Sequence, residues 1–410
     1  MNLKILARKF VEQVIIEVLP DKLVKDKLNE LDIKGSVYVL SIGKAAWRMA
    51  KAASEVLNVK YGIVITKYNH SLGPIEHFEI FEAGHPIPDE NSLKATKYAI
   101  EKLSGLSEND HLIFLVSGGG SALFEYPEDG INFEEIQDIT RQLLKSGADI
   151  VEINTIRKRL SKVKGGKFAK IIFPARITAL VLSDVLGDRL ESIASGPAYP
   201  DIMTKEDAKK IIKKYNLKIS EKVMKAIEKE TPKQIENATH YIIGSVELAC
   251  KTLEKFANKE GFNTYILTTQ LNCEAKEAGR FVASIAKSID QTSFITPACI
   301  IFGGETVVEV KGKGKGGRNQ ELSLSAAIEI EGMDNVVVAS VGTDGTDGPT
   351  DAAGGIIDGE TVKKIKKFGK DPYEFLENND SYNALLLAGD LLKTGPTGTN
   401  INDFGFILIK

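Results

Sequence analysis

The sequence predicts an α/β protein of two domains, each a sheet with helices packed against it, with an interdomain cleft. Three observations carry this expectation. Short apolar, β-branched runs alternate with longer helical patterns, the arrangement of a mostly parallel sheet covered on both faces. The alternation occurs twice, and a charged stretch without a glycine-rich turn separates the two rounds. The 36 glycines among 410 residues collect at a few points, several of them just after apolar runs, where open parallel sheets bind their ligands.

The chain opens on an amphipathic helix with Ile5, Leu6, Phe10, Val14, Ile15 and Val18 on its apolar face. It lacks the apolar core and small-residue cleavage site of a signal peptide. Residues 37–42 read as a strand and 45–57 as a helix; 61–66 and 78–81 read as strands. Residues 89–103 form a helix with Asp89 as N-cap. A strand at 112–116, a helix at 133–144 and a strand at 177–182 complete the first round. Residues 205–230 are charged and helical, and 231–237, holding Pro232, mark the boundary, giving domains 1–236 and 237–410. The second round starts with a strand at 241–243 before a helix at 246–256. A strand at 264–268 precedes a helical stretch at 274–289. Residues 299–302 and 307–310 look like neighbouring strands, and 336–341 like a further one.

Basic residues number 53 and acidic ones 56, a formal charge of −3. That balance argues against nucleic acid as a partner. Cys250, Cys273 and Cys299 lie in no CxxC pair and offer neither a disulfide framework nor a zinc site. They read as free thiols of a reducing compartment. The histidines, among them His70, His77 and His85, form no HxxxH or HExxH pattern. The apolar runs are far shorter than the ~18 residues of a membrane span. The expectation is a cytoplasmic protein with no membrane partner.

Chemistry is then sought beyond each strand. The first runs into Gly43-Lys44-Ala45-Ala46-Trp47. A lysine at a helix N-terminus opposes the macrodipole, which makes sense where an anion is bound between it and the backbone N–H groups. The alternative is a solvated lysine whose helix starts later. Residues 112–116 run into Ser117-Gly118-Gly119-Gly120-Ser121-Ala122. Successive N–H groups there can form an anion-binding nest, although this is neither a Walker A loop nor GxGxxG. Residues 177–182 end in Ser183-Asp184-Val185-Leu186-Gly187-Asp188, with Ser195-Gly196-Pro197 beyond. Asp184 is placed to hold a metal or accept a proton, or it makes an Asx-turn.

In the second half, Gly303-Gly304-Glu305-Thr306 follows a strand, and the basic glycine loop 311–317 leads into Arg318-Asn319-Gln320-Glu321. Flexible lysines with a guanidinium at a helix entrance suit a polyphosphate; an exposed hairpin turn is the alternative. Asp344, Asp347 and Asp351 lie in one glycine-rich loop, suited to a hard cation or a hydroxyl compound. Residues 154–167 carry Arg157, Lys158, Arg159, Lys162, Lys164 and Lys167, a solvated helix face or a phosphate-facing wall. Gly395-Pro396-Thr397-Gly398-Thr399-Asn400, with Asn402 and Asp403, is a polar turn able to line the cleft. Together these groups suit phosphoryl transfer to a small acid.

The motifs Ser41-Ile42-Gly43-Lys44-Ala45-Ala46, Ala83-Gly84-His85-Pro86-Ile87-Pro88-Asp89, Ser117-Gly118-Gly119-Gly120-Ser121-Ala122 and Asn154-Thr155-Ile156-Arg157-Lys158 together resemble the glycerate 2-kinase family. So do Leu182-Ser183-Asp184-Val185 and Ser195-Gly196-Pro197. The C-terminal half resembles the family's MOFRL domain through Gly303-Gly304-Glu305-Thr306, Gly317-Arg318-Asn319-Gln320-Glu321, Gly342-Thr343-Asp344-Gly345-Thr346-Asp347-Gly348 and Thr394-Gly395-Pro396-Thr397-Gly398-Thr399-Asn400.

The resemblance implies a Rossmann-like N-terminal domain, a smaller MOFRL domain and an active site in the cleft. It also implies ATP-dependent phosphorylation of D-glycerate at its 2-hydroxyl, giving 2-phosphoglycerate, with Mg²⁺ or another divalent cation. Lys44 and Arg318 match lysine and arginine positions regarded as active-site residues in that family. The expected catalytic set is Lys44, Arg318 and Asp184. Gly118, Gly119, Gly120, Ser121, Asp188, Ser195 and Gly196 are expected on the nucleotide, and Lys44, Gly43, Arg318 and Asn319 on the acid. Asp184, Glu305, Asp344 and Asp347 are the metal candidates. A homodimer is the expected assembly. An NAD(P)H-dependent hydroxypyruvate reductase, the rival, should show GxGxxG after a strand, and none exists here. A non-catalytic sensor of nucleotide or small acid is the other alternative.

Overall fold

A computed structural model describes residues 2–410. By internal contacts, one compact unit is Pro20–Ile243; the other joins Gly244–Lys410 with the chain up to Leu19.

The first unit holds β1 (Ser36–Ile42), β2 (Val59–Lys67), β3 (Phe78–Ala83), β4 (Asp110–Val116), β5 (Arg176–Leu182) and β6 (Ala238–Gly244) in the order β3-β2-β1-β4-β5-β6. The pairs β1–β2, β2–β3, β1–β4 and β4–β5 are all parallel. This is a doubly wound sheet whose strand order reverses between β1 and β4. The strands read as continuous apolar runs because helices bury both faces: Leu40, Ile42, Ile63, Ile65, Leu112 and Phe114 are all buried. Phe114, Phe124 and Phe168 pack as a ring cluster below β4, with centroids 5.1 to 6.3 Å apart. The helix Glu90–Leu103 starts at a capping box in which Asp89 accepts from Ser92 N–H, as expected.

The helices Phe133–Lys145, Ile150–Leu160, Lys205–Lys214 and Glu221–Ile227 share a core of Ile136, Leu143, Ile153, Leu160, Ile211 and Val223. They correct the reading of the basic segment 154–167. Lys158 and Arg159 are buried, and both pair with the buried Asp201, at 3.2 and 3.7 Å. Two cations converging on one buried carboxylate make a structural brace, neither a solvated face nor a wall open to phosphate.

The second unit holds β7 (Asn263–Leu271), β8 (Ala298–Gly304), β9 (Val336–Gly342), β10 (Gly354–Asp358), β11 (Leu391–Leu392) and β12 (Asp403–Ile409), ordered β11-β10-β9-β12-β8-β7. Here β7–β8 is parallel and the other pairs are antiparallel. The strand expected at 307–310 is absent. Both edges of β8 are taken, by β7 and β12, so Val307 makes only a single bridge to Glu274 while Val310 stands 74% exposed. The helix Leu3–Glu17 packs with β9, β10 and the helix Val246–Lys259, and Phe10 meets Phe406 edge-on at 6.3 Å. Its apolar face therefore serves the second sheet rather than the first. No helix among the described residues is long and apolar enough to cross a membrane.

Candidate active site

At the switch point, the turn after β1 is pressed against the turn after β4. Gly43 has φ +116°, and a Cβ on it would lie 2.2 Å from Ser117 Oγ, so only glycine fits. The two turns are also hydrogen-bonded. Lys44 N–H donates to Gly118 O at 2.8 Å, and Ala45 N–H donates to Ser117 Oγ at 3.1 Å. Thr66, from β2, donates to Gly43 O at 3.0 Å. The backbone of Lys44 is thus held at the end of the sheet, at the entrance of the helix Ala46–Ser54, which has no side-chain cap.

Asp184, just past β5, reaches the same place. A Cβ on Gly118 would stand 2.1 Å from Asp184 Oδ2. Gly119, at φ +87°, faces the other way: a Cβ there would lie 3.0 Å from His85 Nε2 and 3.2 Å from Lys44 Cγ. The ends of β1, β3, β4 and β5 therefore bring Lys44, His85, the glycine turn and Asp184 together. Burial lowers the His85 pKa below its ordinary 6.5, and Lys44, Lys67 and His70 push it the same way.

The flank of the turn is braced from below. Ser121 Oγ and Ser195 Oγ are 2.7 Å apart, and Ser195 Oγ donates to Asn154 Oδ1 at 3.5 Å. Ala194, Ser195 and Gly196 all have left-handed φ, +50°, +60° and +62°, a costly run for two residues with side chains. Lys164, fully buried, donates to Ser121 O at 2.6 Å and Phe124 O at 3.2 Å, and pairs with Glu125 at 3.2 Å. Burial pushes its pKa down to about 8 against the pull of Glu125. Asp188 lies on the loop after β5 with φ +54°, its N–H donating to Val185 O at 3.0 Å.

In the second unit, Arg318 opens the helix Arg318–Glu329. Its Nε donates to Asp403 Oδ2 at 2.5 Å, Nη2 to Asp403 Oδ1 at 3.0 Å and Nη1 to Glu305 Oε1 at 3.0 Å. Burial alone would lower its pKa, but Asp403 and then Glu305 more than reverse that, so it stays a cation. Asp347 caps this helix by accepting from Asn319 N–H at 3.2 Å and Gln320 N–H at 2.8 Å. Burial outweighs those bonds and pushes the carboxyl up to about 7. Asn319 spends its side chain inside, accepting from Ser340 Oγ at 2.6 Å. Asp344 accepts from Thr346 N–H at 2.9 Å, and Asp351 pairs with Lys393 at 2.9 Å.

The basic loop 311–317 is tied down rather than flexible. Lys311 and Gly312 N–H donate to Asn379 Oδ1, Lys313 N–H to Asn378 Oδ1 and Lys315 N–H to Asp380 Oδ1. Among the described residues, no three His, Cys, Asp or Glu side chains are gathered as a metal cage. Two residues of these clusters were not among the expected site residues: His85 lies in a motif of the resemblance but in no ligand pattern, and Asp403, the partner of Arg318, stood only as the end of a polar turn.

A doubly wound sheet with a lysine and a glycine turn at its switch point, and a second unit that opens a helix on a clamped arginine, define an α/β enzyme that handles small anions. Residues 6–228 match the family described as Domain of unknown function (DUF4147), and 298–403 match the MOFRL family. The chain is 58% identical over 98% of its length, and 97% of the relative's, to a D-glycerate 2-kinase of Thermotoga maritima. It is 46% identical to a glycerate 2-kinase of Pyrococcus horikoshii, covering 96% of this chain and 92% of that one. The crystal structure of a glycerate kinase from Thermotoga maritima superposes with a TM-score of 0.97 at 57% identity, covering 100% of this chain and 99% of that chain. This chain belongs to the glycerate 2-kinase family.

Proposed function

We propose that the chain transfers the γ-phosphoryl group of ATP to the 2-hydroxyl of D-glycerate, giving 2-phosphoglycerate and ADP. The observation that carries this reading is the Lys44–Gly118 backbone bond. It places an ammonium-bearing side chain at a bare glycine turn that also meets Asp184. Phosphoryl transfer asks a protein for position and charge more than for covalent chemistry, and those are what this turn supplies.

Lys44 takes the glycerate carboxylate or the transferred phosphoryl oxygens. The turn 118–121, with Ser195 and Gly196 behind it, carries the nucleotide phosphates, and Asp188 lies on the same side of the sheet's loops. Arg318, with Asn319 beside it, answers the charge that develops in transfer. A divalent cation such as Mg²⁺ fits a site of this kind without an all-protein cage, because it binds through one or two carboxylates plus substrate phosphates. We assign the ion to Asp184, because its carboxylate meets the bare glycine turn that would carry the phosphates; bound there it would neutralise phosphate charge. A cytoplasmic homodimer completes the proposal.

The test is incubation of the protein with D-glycerate, ATP and Mg²⁺, with the phosphorylated carbon identified by NMR. Phosphate on carbon 2 is expected. Oxidation of NADH by hydroxypyruvate, with no ATP-dependent product, would replace this reading by a reductase.

A further inference from the structure

The histidine beyond β3 has no role in the scheme above, yet it stands among the groups that carry it. The Cβ position of Gly119 lies 2.9 Å from His85 Cδ2, 3.0 Å from its Nε2 and 3.2 Å from Lys44 Cγ. Imidazole and lysine stem thus line one side of the turn, with no side chain on Gly119 to separate them. Asp184 reaches the neighbouring residue, Gly118. A small acid held by Lys44 at this turn would present its hydroxyl to the ring.

We propose that His85 is the general base of the reaction, accepting at Nε2 the proton of the acceptor hydroxyl as that oxygen attacks the γ-phosphorus. The inference rests on the kinase reading. The bond from the 2-oxygen to phosphorus forms, the bond from phosphorus to the β–γ bridging oxygen breaks, and ADP leaves. The imidazolium returns its proton to water after release.

The surroundings of the ring favour this role. Lys44 faces it from the turn after β1, and Lys67 and His70 from the end of β2 and just beyond. The carboxylates on adjoining elements are engaged elsewhere: Asp89 accepts from Tyr68 Oη and Ser92 N–H, and Glu82 from Ser71 N–H. Partial burial, and then the charge of the neighbouring lysines, lower the ring's pKa below its ordinary value, which suits it to accept a proton. An imidazole also brings no negative charge toward the triphosphate, whereas a second carboxylate beside Asp184 would repel it.

His85→Asn and His85→Ala, made in the full chain and assayed with D-glycerate, ATP and Mg²⁺, test the proposal. The expected result is a fall in kcat of about a hundredfold, with KM for ATP little changed. The acid limb of the wild-type kcat–pH profile disappears in the variants, and added imidazole restores part of the His85→Ala rate. In the wild type, the NMR titration of the His85 ring coincides with that acid limb. Near-normal kcat overturns the assignment. So does a reduced kcat that keeps the acid limb and ignores imidazole, the mark of a residue that only positions others. A ring that titrates at another pH overturns it even where a variant fails to fold. If the wild type makes no phosphoglycerate, the kinase reading itself falls and the base falls with it. An active wild type with an indifferent His85 removes the base alone.

Discussion

Gly118 and Asp184 compete for one space: a Cβ on the glycine would stand 2.1 Å from Oδ2 of the aspartate. The carboxylate past β5 can approach the turn past β4 only because that turn carries no side chain. Gly118 itself does not have a left-handed φ, so its backbone accepts alanine.

Gly118→Ala is therefore expected to displace Asp184 rather than unfold the unit. A shift of about 1 Å at reacting groups costs ~10²-fold, and kcat/KM should fall by that order. Melting temperature should move by only a few degrees. A variant with full activity would separate Asp184 from the chemistry.

Lys44→Ala should lower kcat by about 10²–10³ and leave the circular dichroism spectrum unchanged. The bonds that join the turns use the backbone of Lys44. Lys44→Arg should rescue poorly, because a planar fork does not replace a compact ammonium.

Arg318→Ala strands the buried Asp403 near Glu305, and removing one partner of a buried pair costs ~3–5 kcal/mol. The lower end is expected, since the Arg318 side chain is 34% exposed. Asp403→Asn should weaken the orientation of the guanidinium and lower kcat while binding of ATP persists. A double-mutant cycle read from denaturation midpoints should show coupling of about 1–3 kcal/mol; strict additivity would mean the clamp does not act as a unit.

Asp347 predicts a pH dependence of stability. Its folded-state pKa, about 7, lies above the ordinary 3.8. Between those values the folded chain keeps a proton that the unfolded chain has released. The stability this carboxyl contributes is complete below pH 3.8 and is lost as pH rises through about 7. Wild-type melting temperature should thus decline from about pH 5 to about pH 8 more steeply than that of Asp347→Asn. Parallel profiles would contradict the assignment.

Lys44, the glycine turn and Asp184 were legible because each directly follows an apolar run, and in a parallel sheet that position is the ligand-facing end. Five strands of the first sheet were legible for the same local reason, but the sixth, β6, was read at 241–243 as the start of the second domain and instead completes the first sheet. What escaped depends on distant chain. Arg159 and Lys158 look solvent-facing until Asp201, more than forty residues on, buries against them. Residues 307–310 have strand composition, but β7 and β12 leave them no edge. β12 sits between β8 and β9 in space, at the far end of the sequence. His85 comes two residues after its strand and is followed by proline, with no spacing that marks a ligand.

The helix Leu3–Glu17 gives the chain an order of assembly. It precedes the other elements in sequence, yet Phe10 waits for Phe406 and the helix waits for β9 and β10. Pro20–Ile243, by contrast, is continuous, and its sheet can close while translation continues. On the ribosome, the lysine and glycine turn would be in place first. The arginine clamp would follow only once Asp403 and β12 had emerged, so the two halves of the candidate site would form in sequence rather than together.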